Sequence, residues 1–118
     1  MPNDSKFEIP NPGEIWAFVP DPKKGHEQKG YRPHLVISTA FKNDRTGIVT
    51  CVPLTTANHS FPTHIPIPTG LSAEGFIETE QINSYDFYAR HAVRKGELPS
   101  EFFRYIMEVI NASLGLDN

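Results

Sequence analysis

The stretch G-E-I-W-A-F-V-P-D-P-K-K-G-H-E-Q-K-G-Y-R-P-H-L-V-I-S, Gly13 to Ser38, decides how the rest of the chain is read. Its first part, Gly13 to Val19, is apolar at both parities, so it reads as a strand with both faces covered. The Ile15 side fills a core. The Trp16 and Phe18 side must be shielded by the terminal helix or a second subunit, because a solvated Trp-Phe stripe would be a large apolar patch. Pro20 and Pro22 stop the strand. The connection from Pro20 to Arg32 is longer than a hairpin turn, a length common in functional loops. Gly25 and Gly30 let it turn and bracket His26, Glu27, Gln28 and Lys29. Arg32 precedes a proline, which pushes it into extended conformation where the next strand, Pro33 to Ser38, begins.

Working outward, Thr39 to Thr46 is a polar connector with room for a turn of helix. Gly47 to Leu54 reads as a third strand, with Val49 and Cys51 on one face and Ile48, Val52 and Leu54 on the other. Thr55 and Thr56 close it. Pro66 and Pro68 share a parity in Thr63 to Pro68, which suits only an edge strand. Gly75 to Ile82 alternates as one strand, and Ala89 to Lys95 as another. Pro99 to Leu114 is an amphipathic helix, with Ser100 as cap, Glu101 near its positive end, Phe103, Ile106, Met107, Ile110 and Leu114 at helical spacing, and Gly115 as its stop. The fold class is mainly β with α, a small twisted barrel with the terminal helix packed on it.

At 118 residues the chain is one domain, residues 13–116, after a flexible lead-in over residues 1–12. The lead-in has no apolar run, so neither a signal peptide nor a membrane span is expected, and the expected location is the cytoplasm. The single cysteine, Cys51, lies in an apolar run and reads as a buried small hydrophobe. Five histidines lack metal-ligand spacing, and no P-loop, dinucleotide fingerprint or helix-turn-helix is present, so no metal or cofactor is expected. A net charge of −3 disfavours nucleic-acid binding by bulk electrostatics. The charges are uneven, however. Lys23, Lys24, Lys29 and Arg32 make a local basic rim, whereas Leu71 to Tyr88 is purely acidic.

The run G-H-E-Q-K-G-Y-R-P-H-L-V-I-S, preceded by G-E-I-W and followed by Thr46-Gly47, Val52-Pro53-Leu54-Thr55-Thr56 and Glu80-Gln81-Ile82, resembles the MazF/PemK family, the toxins of bacterial toxin-antitoxin pairs. The resemblance covers nearly the whole chain after residue 12. It implies an SH3-like barrel that pairs as a homodimer, and a metal-independent endoribonuclease (mRNA interferase) that cuts single-stranded RNA at selected sequences. The products implied are a 2′,3′-cyclic phosphate and a 5′-hydroxyl. The family's catalytic arginine and threonine fall on Arg32 and Thr55. An arginine suits that role because its guanidinium stays charged and offers a planar fork to phosphate oxygens. By residue type alone, a surface ion pair is the more common reading of such an arginine.

A threonine is a poor base, so Thr55 is assigned to orienting or relaying the 2′-hydroxyl proton, and Glu27 is the nearest candidate base. His26, Gln28, Lys29, Thr56 and Gln81 are the expected RNA contacts, with an acid or base role and a plain solvated loop histidine the alternatives for His26. One departure stands out. The PemK-like branch carries Arg-x-Asp where this chain has Glu78-Thr79-Glu80, so the Arg-Thr scheme transfers and the PemK scheme does not. Taken alone, Glu78 and Glu80 read as a solvated face. A cognate antitoxin with an acidic, initially disordered tail is the expected partner on the basic rim. The alternative function is a non-catalytic toxin or adaptor on the same barrel that binds a protein such as DNA gyrase.

Overall fold

The computed structural model describes residues 8–20, 30–58 and 60–116. Seven strands and two helices follow in the order β1 Glu14–Phe18, β2 Arg32–Val36, α1 Ala40–Thr46, β3 Val49–Thr55, β4 His64–Pro66, β5 Phe76–Glu78, β6 Asn83–Tyr85, β7 Val93–Glu97 and α2 Ser100–Leu114. All strand pairs are antiparallel, in the order β4-β5-β3-β2-β1-β7, with β6 on the first half of β3. Among the described residues β4 and β7 remain edges, so the sheet wraps its core without closing as a hydrogen-bonded cylinder. Pro66 helps to keep β4 an edge, since it has no N–H to offer a further strand.

Two apolar layers flank the sheet. Ile15, Leu35, Val52, Leu54 and Ile77 face Ile106 and Ile110 of α2, with Phe103 and Met107 packed against them. Leu114, expected on that face, is largely exposed. The other layer joins Trp16, Phe18, Val36, Val49 and Cys51 to Phe87 and Ala92. That layer corrects the expectation that α2 or a second subunit shields the Trp16 side. The turn after β6 does so, because Asp86 closes it through Oδ1 on the Ala89 N–H at 2.9 Å, and Ala92 N–H reaches the Phe87 carbonyl at 3.0 Å.

Other differences have local causes. The strand expected over Gly75 to Ile82 ends at Glu78, because buried Thr79 turns away and donates through Oγ1 to the Thr63 carbonyl at 2.6 Å. β6 forms beyond Ile82 and pairs with the first half of β3. Ser100 is the first residue of α2, not its cap; Pro99 holds the cap position with no side-chain bond. The flexible lead-in expected over residues 1–12 does not extend to Pro10 and Asn11. Pro10 is buried and its carbonyl accepts from Asn43 Nδ2 at 2.9 Å, while Asn11 N–H donates to Glu14 Oε1 at 3.0 Å.

Cys51 is fully buried, and desolvation pushes its thiol up to about 12 against the pull of Lys42. It is therefore an inert core residue.

Candidate active site

Arg32 begins β2 and Thr55 ends β3. The two strands pair with His34 opposite Pro53 and Leu35 opposite Val52, and two more steps of that register set Arg32 across from Thr55. Strand pairing alone thus brings together residues far apart in sequence. They line one cleft of about 200 Å³ with Tyr31, Pro33, Thr56 and Glu74. Arg32 also lines a second hollow of about 180 Å³, with His34, Glu78, Gln81, Asn83 and Tyr85. Its guanidinium side is exposed, and among the described residues no carboxylate forms an ion pair with it. The other arginines near the sheet differ. Arg94 is held by Glu14 at 3.1 Å and Glu97 at 2.6 Å, and Arg90 donates to the carbonyls of Val19 and Pro20. Among the described residues, then, Arg32 has no carboxylate in the surface ion pair that residue type alone favoured.

Thr55 has a defined rotor. Its Oγ1 accepts from the Ala57 N–H at 3.1 Å, which leaves the hydroxyl proton for a partner in the cleft. Its backbone runs against Gly75, where a Cβ would stand 2.2 Å from the Thr55 carbonyl oxygen. Gly75 also sits at φ +103°, a left-handed region that disfavours side chains. The strand end therefore depends on a glycine opposite it.

His34 lies beneath Arg32. Its ring stacks on Phe18 with centroids 4.1 Å apart, and Nδ1 bonds the Arg32 carbonyl at 2.9 Å. A carbonyl only accepts, so Nδ1 carries the proton and the link locks the start of β2. Burial pushes His34 down to about 4, opposed by that hydrogen bond and reinforced by the charges of Arg32 and Arg90. The ring is neutral at pH 7. The unfolded chain takes up a proton at His34 near its ordinary value of 6.5, which the native chain refuses until about 4. Stability present above pH 6.5 is therefore lost as pH falls toward 4, by roughly 3 kcal/mol at full effect. Urea unfolding at pH 7.5 and 4.5 should show this loss, and His34→Phe should flatten it. An equal slope in the variant rules His34 out as its source.

Glu78 and Glu80 correct the solvated-face reading. Both converge on buried His64, whose Nε2 lies 2.8 Å from Glu80 Oε2 and 4.0 Å from Glu78 Oε2. Partial burial works to raise the Glu80 carboxyl, and hydrogen bonds led by those to Thr63 and His64 outweigh it, bringing it down to about 2.

Of the residues singled out in the sequence, Arg32, Thr55 and Thr56 share the first cleft and Gln81 joins Arg32 at the second. His26, Glu27, Gln28 and Lys29 lie outside the described residues. Asn83 and Tyr85 emerge only from the fold, since no motif marks them, and the fold gives His34 and Glu78, present in the quoted motifs without a site role, a place at the second hollow. Among the described residues, no group of three His, Cys, Asp or Glu side chains is placed to hold a metal ion, and no helix is long and apolar enough to cross a membrane.

A helix-backed antiparallel sheet, in which an arginine with no ion-pair partner among the described residues shares a cleft with a strand-end threonine, is the architecture the comparisons then place. Comparison with known proteins then fixes the family. The chain belongs to the PemK-like, MazF-like toxins of type II toxin-antitoxin systems, whose pattern it matches over residues 11–114. It is 35% identical over 108 residues to the endoribonuclease toxin MazF of Escherichia coli K12, covering 91% of this chain and 96% of that protein. It is 29% identical over 100 residues to the endoribonuclease PemK of Escherichia coli, covering 80% and 74%. The crystal structure of MazF from Deinococcus radiodurans superposes with a TM-score of 0.79 at 28% identity, covering 92% of this chain and 99% of that one. A MazE-MazF structure from the same organism gives 0.80 at 23% identity, covering 94% and 100%, which bears on the fold alone.

Proposed function

We propose that the protein is a sequence-selective, metal-independent endoribonuclease toxin that cuts single-stranded RNA and is restrained by a cognate antitoxin. The observation that carries this reading is that Arg32 and Thr55 line one cleft, with the arginine unengaged by any described carboxylate. The 35% identical relative, itself an endoribonuclease toxin, supports the same activity.

The chemistry follows from the groups. In RNA the nucleophile is the neighbouring 2′-hydroxyl, so cleavage needs a base for that proton, an acid for the departing 5′-oxygen and positive charge on the pentacoordinate phosphate. Arg32 supplies the charge. Thr55, with one lone pair taken by Ala57, presents its hydroxyl proton and orients the reacting oxygens. Glu27 is the base in this scheme, and His26, Gln28, Lys29, Thr56 and Gln81 hold the strand. Attack by the 2′-oxygen, whose proton passes to Glu27, forms the new phosphorus bond as the bond to the 5′-oxygen breaks, and the departing oxygen takes a proton from solvent water, giving a 2′,3′-cyclic phosphate and a 5′-hydroxyl. The active form is a homodimer in the cytoplasm, and the antitoxin competes with RNA for the basic rim at Arg32.

Incubation of the pure protein with varied single-stranded RNAs in EDTA tests this, with end-group analysis of the fragments. Cleavage to cyclic phosphate ends is expected. Intact RNA across the whole set would exclude the nuclease and leave a binding toxin.

A further inference from the structure

The second hollow lies beside Arg32 and does not include Thr55. A phosphate resting on the guanidinium therefore has the hydroxyl cleft on one side and this hollow on the other. Glu78 disfavours a second phosphate there: its carboxylate would repel an anion, and among the described residues no lysine lines the hollow. An ionised carboxylate only accepts hydrogen bonds, so its occupant must bring donors.

Glu78 is held in place for such a task. Its side chain is only 14% exposed, and it stands 4.0 Å from the His64 nitrogen that Glu80 binds at 2.8 Å. The neighbouring wall is also rigid. Tyr85 is covered by the Arg90 guanidinium at 4.9 Å and meets the edge of Phe18 at 4.9 Å, while His34 stacks on Phe18. Gln81 and Asn83 add side-chain amides, each with both a donor and an acceptor.

We propose that this hollow is a nucleobase pocket that selects guanine beside the cleaved phosphate, read by Glu78. It rests on the nuclease reading above and extends it to substrate choice. Guanine alone among the four bases presents two adjacent donors, N1–H and the N2 amino group, which match the two oxygens of one carboxylate. Its O6 then takes a donor from Gln81 or Asn83. Adenine and cytosine each set one amino donor beside a ring acceptor, and uracil flanks its single N–H with two carbonyls. Each leaves an acceptor against the carboxylate. Reading the Watson–Crick edge in this way is open to a protein only when the base is unpaired, as in single-stranded RNA.

The test has two arms. A randomised single-stranded RNA pool is cut by the wild-type protein and by Glu78→Gln, and the new ends are sequenced. Guanine should be enriched at one position flanking the cut, and the variant, whose amide offers one donor and one acceptor, should lose about tenfold of that preference. In the second arm, oligomers made uncleavable by a 2′-deoxy sugar, differing only in guanine or uracil at that position, are titrated against the wild type. Tighter binding of the guanine oligomer is expected. Cleavage with no guanine preference at either flank overturns the pocket and leaves the nuclease standing. Guanine-selective binding with no cleavage of any RNA supports the pocket and removes the nuclease. A folded Glu78→Gln protein with unchanged preference overturns the assignment to Glu78.

Discussion

Arg32→Ala should slow RNA cleavage by about 10²-fold or more, the loss typical when one preorganised electrostatic donor is removed from a charged transition state. The side chain is exposed and no described carboxylate pairs with it, so its removal strands no buried charge. Thermal unfolding should barely move. Arg32→Lys should recover only part of the rate, since the charge returns without the planar fork. Thr55→Val is the companion change. It keeps shape and deletes the hydroxyl, so cleavage should fall while RNA binding persists. Cleavage by Arg32→Ala at the wild-type rate would remove the central residue of the scheme.

Gly75→Ala should cost stability as well as activity. Alanine at φ +103° is strained, and its Cβ would stand 2.2 Å from the Thr55 carbonyl oxygen, backbone that has no rotamer to yield with. One of the two strands must shift. Strain of this kind costs roughly 3 kcal/mol, on the order of 10 °C in Tm for a domain of this size. The shift falls on the pairing of Thr55 with Phe76, so Thr55 moves with it. A melting temperature within about 2 °C of wild type would show that the β3–β5 contact tolerates a side chain and that the dependence on glycine is wrong.

Much of this architecture was legible because its signals are local. Alternation sorted Val49 and Cys51 from Val52 and Leu54, and those pairs do enter different apolar layers. Helical spacing found α2, and the proline parity found the β4 edge. Arg32 and Thr55 were singled out through a motif resemblance, and the fold sets these two residues of neighbouring strands at one cleft. What escaped depends on distant partners. Nothing near Thr79 in the chain says that its hydroxyl will bind Thr63 and end a strand at Glu78. Nothing in Glu78-Thr79-Glu80 says that a histidine from β4 will gather both carboxylates. The Trp16 layer likewise looked as if it required a helix or a partner, because a cover formed by a turn leaves little trace in hydrophobic periodicity.

The burial of Cys51 gives the molecule a built-in clock. A thiol with no exposed surface and a titration near pH 12 cannot react with an alkylating agent from the native state. Every labelled molecule must first have peeled open along β3, the strand that also ends in Thr55. With opening and reclosing fast relative to alkylation, the labelling rate measures the free energy of that opening without any denaturant. Repeating the measurement with RNA or antitoxin added would show how firmly each one fastens the strand that ends in Thr55.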